Sequence, residues 1–175
     1  MSISEKNYSQ IENIDKLLFQ KLDIELSDIK TEKESQDYFA HTFKLNQQNI
    51  RFRKAKITPK KTGQFVAIWK RNKEGITEPF DIKDDFDFYM ITTEKEDNFG
   101  IFIFSKAILL KKGILSNQDK NGKRGIRVYP IWDETISKQA QKTQKWQLNH
   151  FLNLSDNIEA DLQKAEKLLL LGKQN

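Results

Sequence analysis

Cysteine is absent from the 175 residues, and histidine occurs only twice. The lack of cysteine excludes a disulfide framework, a thiolate zinc site and a cysteine nucleophile. His41 and His150 alone cannot form a three-histidine metal site. Proline and glycine are also scarce, at three and seven residues, whereas the 12 Phe, 4 Tyr and 3 Trp are too many for a disordered chain. A chain of this length and composition can bury a core of its own.

Long hydrophobic runs are missing as well. No apolar segment approaches the roughly 20 residues that a membrane-spanning helix needs. The first ten residues are polar and lack the apolar stretch of a signal peptide. The sequence therefore predicts a cytoplasmic protein with no membrane association, folded as one domain over residues 1–175.

Charge is present in blocks of opposite sign, although the net charge is only +5. Residues 51–75 contain nine Lys or Arg and a single acid, whereas residues 76–100 contain eight acids and two Lys. A concentrated basic block can hold a polyanion, because contacts to phosphates dominate non-specific affinity for nucleic acids. The alternative is a solvated surface that serves solubility. The acidic block could also neutralise the basic one within the fold.

The periodicity of apolar residues predicts a mixture of helices and strands. The pattern Thr31-x-x-Glu34 resembles a capping box and predicts a helix from there to about Leu45. Ser105 is expected to cap the short helix that follows a hairpin. The other predicted helices cover about 8–22, 137–152 and 156–171, and the predicted strands cover 50–58, 64–71, 86–93, 99–104 and 126–131. This order predicts an α+β fold, with a mixed β-sheet flanked by helices and the strand 64–71 at its centre.

Several local strings resemble the MepB family. They are AHTFKLN (40–46), RKAKITPKKTGQFVAIWKR (53–71), EPFDIKDDFDFYMI (78–91), GKRGIRVYPIW (122–132) and KQAQKTQKWQ (138–147). The resemblance covers a core of about residues 34–151 and leaves helical extensions at both ends. It implies a restriction-endonuclease-like core of the PD-(D/E)XK type and a function in nucleic-acid binding, with no established enzymatic activity to carry over.

A nuclease of that type needs two or three acids to hold Mg²⁺ and a lysine beside them. The expected topology places Asp87 at the first acid and Lys106 at the lysine. In an antiparallel hairpin that turns at about residues 94–98, the numbers of paired residues add up to about 192, which sets Asp87 opposite Ser105. The second acid would stand at position 104, where the residue is Phe104 and cannot bind magnesium. Glu34 could complete the set or could serve the capping box, so the sequence favours a degenerate site without cofactor, with a Mg²⁺-dependent endonuclease as the alternative.

Basic residues on turns and helix faces are the candidate nucleic-acid contacts. They fall in the basic block, a glycine-bearing loop and one helix face, and comprise Lys60, Lys61, Gly63, Lys70, Arg71, Lys123, Arg124, Arg127, Lys142 and Lys145. Glycine allows the backbone to approach a phosphate, and arginine can bind one with two hydrogen bonds. Tyr129, Trp132 and Trp146 could stack on bases, whereas Trp69 is expected in the core.

Three functions remain compatible with these features. The leading interpretation is a protein that binds DNA or RNA with little sequence preference and does not cleave it, since no recognition helix of known type is present. The enzyme alternative uses Asp87 and Lys106 with a displaced acid. The third is a protein or small-molecule adaptor, in which the acidic segment 76–100 matters more than the basic ones.

Overall fold

The computed structural model describes residues 3–155 and 158–171, which form four α-helices and eleven β-strands. The helices are α1 (Ile3–Ile14), α2 (Lys106–Lys111), α3 (Lys138–Gln147) and α4 (Ile158–Leu171). The strands are β1 (Leu26–Thr31), β2 (His41–Leu45), β3 (Gln48–Lys54), β4 (Lys56–Ile57), β5 (Gln64–Ala67), β6 (Trp69–Arg71), β7 (Thr77–Pro79), β8 (Phe88–Lys95), β9 (Asn98–Ser105), β10 (Gly125–Val128) and β11 (Phe151–Asn153). None of the described helices is both long and apolar enough to cross a membrane.

A six-stranded sheet of order β1-β2-β3-β8-β9-β11 organises the molecule. Only β3 and β8 run parallel, so the sheet is mixed. Successive side chains of a strand point to opposite faces, and both faces of β8 are buried. Phe88 and Met90 join a core with residues of α1 and α4, whereas Tyr89 and Ile91 join a second core beneath α2 and the small sheets. This confirms the predicted α+β class with a mixed sheet flanked by helices.

Two small sheets cover the second face. One has the order β10-β5-β4, and the other pairs β6 with β7. The segment 64–71 was predicted as a single central strand and is instead split between these sheets. Its apolar residues were expected to reflect burial at the centre of one sheet. Instead, Val66 and Ile68 pack against the second core while the chain passes from one small sheet to the other.

The predicted helix from Thr31 to Leu45 is wrong. Thr31 ends β1, a 3-10 turn covers Gln36–Tyr38, and β2 follows. Ser35 and Phe39 have positive φ angles of 58° and 50°, which interrupt any helix across this segment. The buried residues of β2 recur with period two, the pattern of a strand. Glu34 forms no capping box, because its carboxylate pairs with an arginine of β6.

Other boundaries follow local signals closely. Ser105 caps α2 and Ser137 caps α3, each accepting a hydrogen bond from the backbone three residues on. The predicted hairpin is confirmed, but its register is one residue away from the expected one, with Phe88 opposite Ser105. The helix predicted to reach residue 152 ends at Gln147, and β11 was missed, as were β1 and β7. The last helix was expected from residue 156, which lies outside the described residues; α4 is described from Ile158.

Candidate functional site

A groove of about 370 Å³ lies between β10 and α3. Of the residues that the structure describes, three cations line it, namely Lys112, Lys123 and Arg127, and no carboxylate does. We call it the basic groove. Its other lining residues are Ile114, Gly125, Ile126, Tyr129, Ser137, Gln139, Ala140, Thr143, Trp146 and Gln147. Cationic, hydroxyl, amide and aromatic side chains therefore share one concave surface.

Helix α3 supplies one wall of the basic groove. Gln139, Thr143 and Trp146 recur at i, i+4 and i+7, so they share the face that points into it. The ammonium of Lys112, at the end of α2, lies 5.2 Å from the centre of the Trp146 ring. The predicted Lys142 and Lys145 are exposed on the same helix but outside the groove lining.

Gln147 fixes the spacing between α3 and β10. Its side chain is buried, and its amide nitrogen donates to the carbonyl of Arg127 at 2.9 Å. Its amide oxygen accepts from the backbone N–H of Tyr129, also at 2.9 Å. The amide thus bonds the backbone of β10 and of the residue after it, as a neighbouring strand would. The two walls of the groove are held together without a covalent link.

Arg127 joins the basic groove to the turn that carries Lys60 and Lys61. Its guanidinium donates to the hydroxyl of Thr58 at 2.7 Å. In the same turn Gly63 packs closely against the Tyr129 ring. A Cβ at residue 63 would lie 2.6 Å from that ring, and the φ angle of the residue is +84°. Only glycine tolerates both conditions without rearrangement. Lys60 and Lys61 are exposed beside a neighbouring depression that also contains Lys95, Asp133 and Glu134.

Other members of the basic block are neutralised by the protein's own acids. Lys70 pairs with Asp84 at 2.6 Å and with Glu78 at 3.4 Å. Burial alone would lower the pKa of Lys70, but the hydrogen bond and charge of Asp84 raise it above its ordinary value. Arg71 pairs with Glu34 at 3.3 Å. Both cations were predicted contacts for nucleic acid, and their charge is already compensated.

Three further bases of the block are paired too: Arg51 and Arg53 share the carboxylate of Glu32, and Lys54 contacts Glu94 at 3.4 Å. The predicted Arg124 is exposed and donates to the carbonyl of Thr77 at 3.1 Å, outside the basic groove. The acids that neutralise the basic block come from both sides of it in the sequence. Only part of the block is left to attract an anion.

The residues of the predicted nuclease site have other partners. The carboxylate of Asp87 accepts the backbone N–H of Asn49 at 2.8 Å. The backbone N–H of Lys106 donates to the carbonyl of Asp87 at 3.2 Å, but its ammonium bonds the carbonyl of Asp84. Among residues 3–155 and 158–171, no three His, Asp or Glu residues are grouped as metal ligands would be.

Phe104, at the position of the missing acid, is fully buried. It stacks on Phe102 with ring centres 5.5 Å apart and packs on Trp146 at the same distance. This side of β9 is therefore closed by α3 rather than open to a metal and water.

Comparison with known proteins identifies the family of the chain. The sequence profile of the MepB-like family matches residues 32–153. The chain belongs to the MepB-like family. A solved structure described as MepB is 38% identical, with a TM-score of 0.72 over 73% of this chain and 86% of that one. A bacterial homing endonuclease is 11% identical, with a TM-score of 0.44 over 92% of this chain and 90% of that one, a score too low to establish a common fold. No protein of curated function matches.

The MepB-like region contains the whole basic groove, whereas α1 and α4 lie outside it. Sequence reasoning singled out Lys123, Arg127 and Trp146 but missed Lys112 and Gln147. The partial signal for Lys112 is its place at the end of a capped helix. For Gln147 there is none, because its two hydrogen bonds depend on where β10 pairs.

Proposed function

We propose that this MepB-like protein binds nucleic acid in the basic groove, through the sugar–phosphate backbone, with little sequence preference and without cleaving it. The observation that carries the proposal is a concave surface that, within residues 3–155 and 158–171, is lined by three cations and no carboxylate. Cations attract phosphates, and hydroxyl and amide groups such as those of Thr143 and Gln139 can donate hydrogen bonds to phosphate oxygens.

Low sequence preference follows from the packing of α3. A recognition helix reads base edges by entering the major groove of DNA with a free face. The face of α3 that carries Gln139, Thr143 and Trp146 is turned toward β10. That face can line a channel for a backbone, and the exposed face of α3 carries Lys142 and Lys145, whose ammonium groups can contact phosphates, which carry no sequence information.

Binding should weaken steeply with salt. Three phosphate contacts give a slope of log K against log salt of about −2.7 for duplex DNA and about −2.1 for single strands. Fluorescence anisotropy with labelled DNA and RNA oligonucleotides at several salt concentrations measures this slope. A slope near zero would mean that binding involves no phosphate contacts and would favour the adaptor alternative.

Cleavage is not expected with Mg²⁺ or Mn²⁺. The carboxylate of Asp87 bonds Asn49, that of Glu34 pairs with Arg71, and Phe104 offers no ligand. A lone carboxylate holds Mg²⁺ weakly. Incubation of the purified protein with single- and double-stranded DNA should leave full-length substrate intact. Loss of substrate in the wild type that is abolished by Asp87→Ala would establish the endonuclease alternative instead.

A further inference from the structure

Three partly exposed aromatic rings lie on and beside the outer face of the three-stranded sheet. Val66 and Ile68 point into the core, so Phe65 and Trp69, which alternate with them, point away from it. Tyr38, from the 3-10 turn, packs edge-on against Phe65 with ring centres 6.1 Å apart. We call Tyr38, Phe65 and Trp69 the aromatic row.

Small residues shape the surface under these rings. Ala67 lies opposite Gly125 in the β5–β10 pairing. The Phe65 ring crosses Gly125 so closely that a Cβ there would stand 2.5 Å from the ring. Tyr38, Ala67 and Trp69 line a depression of about 330 Å³, and Lys33 and Asp37 also line it. The backbone at Gly125 therefore supports the Phe65 ring from below, and all three rings retain contact with solvent.

Cations stand on both sides of Phe65. In the strand register Lys56 lies opposite it on β4, and Arg127 lies opposite it on β10. The Lys56 ammonium is 4.9 Å from the centre of the Tyr38 ring. Lys56 is exposed and forms no ion pair with any described residue. Because Arg127 also lines the basic groove, the aromatic row and the groove are contiguous.

We propose that the aromatic row stacks the unpaired bases of a single-stranded nucleic acid whose phosphates pass Lys56 and Arg127 into the basic groove. This inference rests on the proposed function and narrows its ligand class. Aromatic rings beside cations are the means by which proteins bind single strands without reading their sequence. Paired bases in a duplex keep their faces stacked on each other and cannot use such rings.

The test compares fluorescein-labelled oligo(dT), oligo(U) and a DNA hairpin duplex in anisotropy titrations. The variants Tyr38→Leu and Phe65→Leu remove one ring each and keep apolar volume. We expect each to weaken binding of the single strands about fivefold or more and to leave duplex binding unchanged. Phe65→Tyr should retain the wild-type affinity because it retains the ring. Phe99→Leu, at a ring on the other core, is the matched control and should have no effect.

A second readout uses the wild-type protein and so does not require that the variants fold. Bromouracil-substituted oligonucleotides, irradiated in complex with the wild type, should cross-link to peptides containing residues 36–38 or 64–69. Unchanged affinity in the ring variants, or cross-links confined to other peptides, would overturn the single-strand proposal. If charge reversal in the basic groove still weakens both DNA forms, the proposed function stands while this inference fails. If no oligonucleotide binds in a salt-dependent manner, the proposed function itself fails.

Discussion

Charge reversal at two lysines of the basic groove, Lys112→Glu with Lys123→Glu, is expected to lower affinity for single-stranded and duplex oligonucleotides at least about tenfold at moderate salt. Each substitution removes one of the proposed phosphate contacts and adds a repulsive charge. Both lysines are exposed, and neither pairs with an acid of the described chain. Their replacement therefore leaves no carboxylate without its partner. The slope of log K against log salt should also become shallower, by about 1.8 for duplex and about 1.4 for single strands.

The matched control reverses two exposed lysines on the opposite side of the main sheet, Lys16→Glu with Lys167→Glu. Lys16 follows α1 and Lys167 lies in α4, the helices that cover the other core. The net change in charge is identical, so affinity should stay near that of the wild type. Equal weakening by both double variants would mean that overall charge, rather than the basic groove, governs binding. A thermal melt of each variant verifies folding.

Removal of the buried cation in β3, by Arg53→Met, should lower the free energy of unfolding by about 3–5 kcal/mol. Arg53 is 1% exposed, and its guanidinium pairs with Glu32. Burial opposes its charge, yet the Glu32 carboxylate beside it keeps the pKa of Arg53 above its ordinary value. The variant leaves that carboxylate, in a poorly solvated position, with Arg51 as its one remaining cationic partner in the described part of the chain.

Urea unfolding measures the loss, and Arg51→Met is the comparison. The Arg51 side chain is 23% exposed, and Arg53 remains opposite Glu32 in that variant. Its cost should therefore be clearly smaller. If Arg53→Met proves as stable as the wild type, or less harmful than Arg51→Met, the ion pair does not support the sheet in the way described.

Elements set by local chemistry could be predicted from the sequence. The hairpin of β8 and β9 has strong alternation and a charged turn, and α2 and α3 each begin after a capping serine. The segment 31–45 could not, because its aromatic spacing fits a helix as well as a strand. β2 pairs with β1 and β3, and β3 in turn pairs in parallel with the distant β8, so residues far along the chain hold this segment in the sheet.

The candidate site was only partly predictable for the same reason. A count of lysines and arginines cannot tell which are neutralised, since Lys70 and Arg71 meet their acids only after folding. Nor could it show that Trp69 is partly exposed rather than in the core, since that depends on the break between β5 and β6. Sequence identified the kind of residue, and tertiary pairing decided which ones share a surface.

Lysine footprinting can show whether a bound nucleic acid lies in the basic groove. The protein is acetylated with an amine-reactive ester, with and without oligo(dT), and the modified lysines are quantified by mass spectrometry. We expect bound nucleic acid to protect Lys112 and Lys123 and to leave Lys16 and Lys167 as reactive as in the free protein. Uniform protection, or protection confined to Lys16 and Lys167, would contradict a nucleic-acid site in the basic groove.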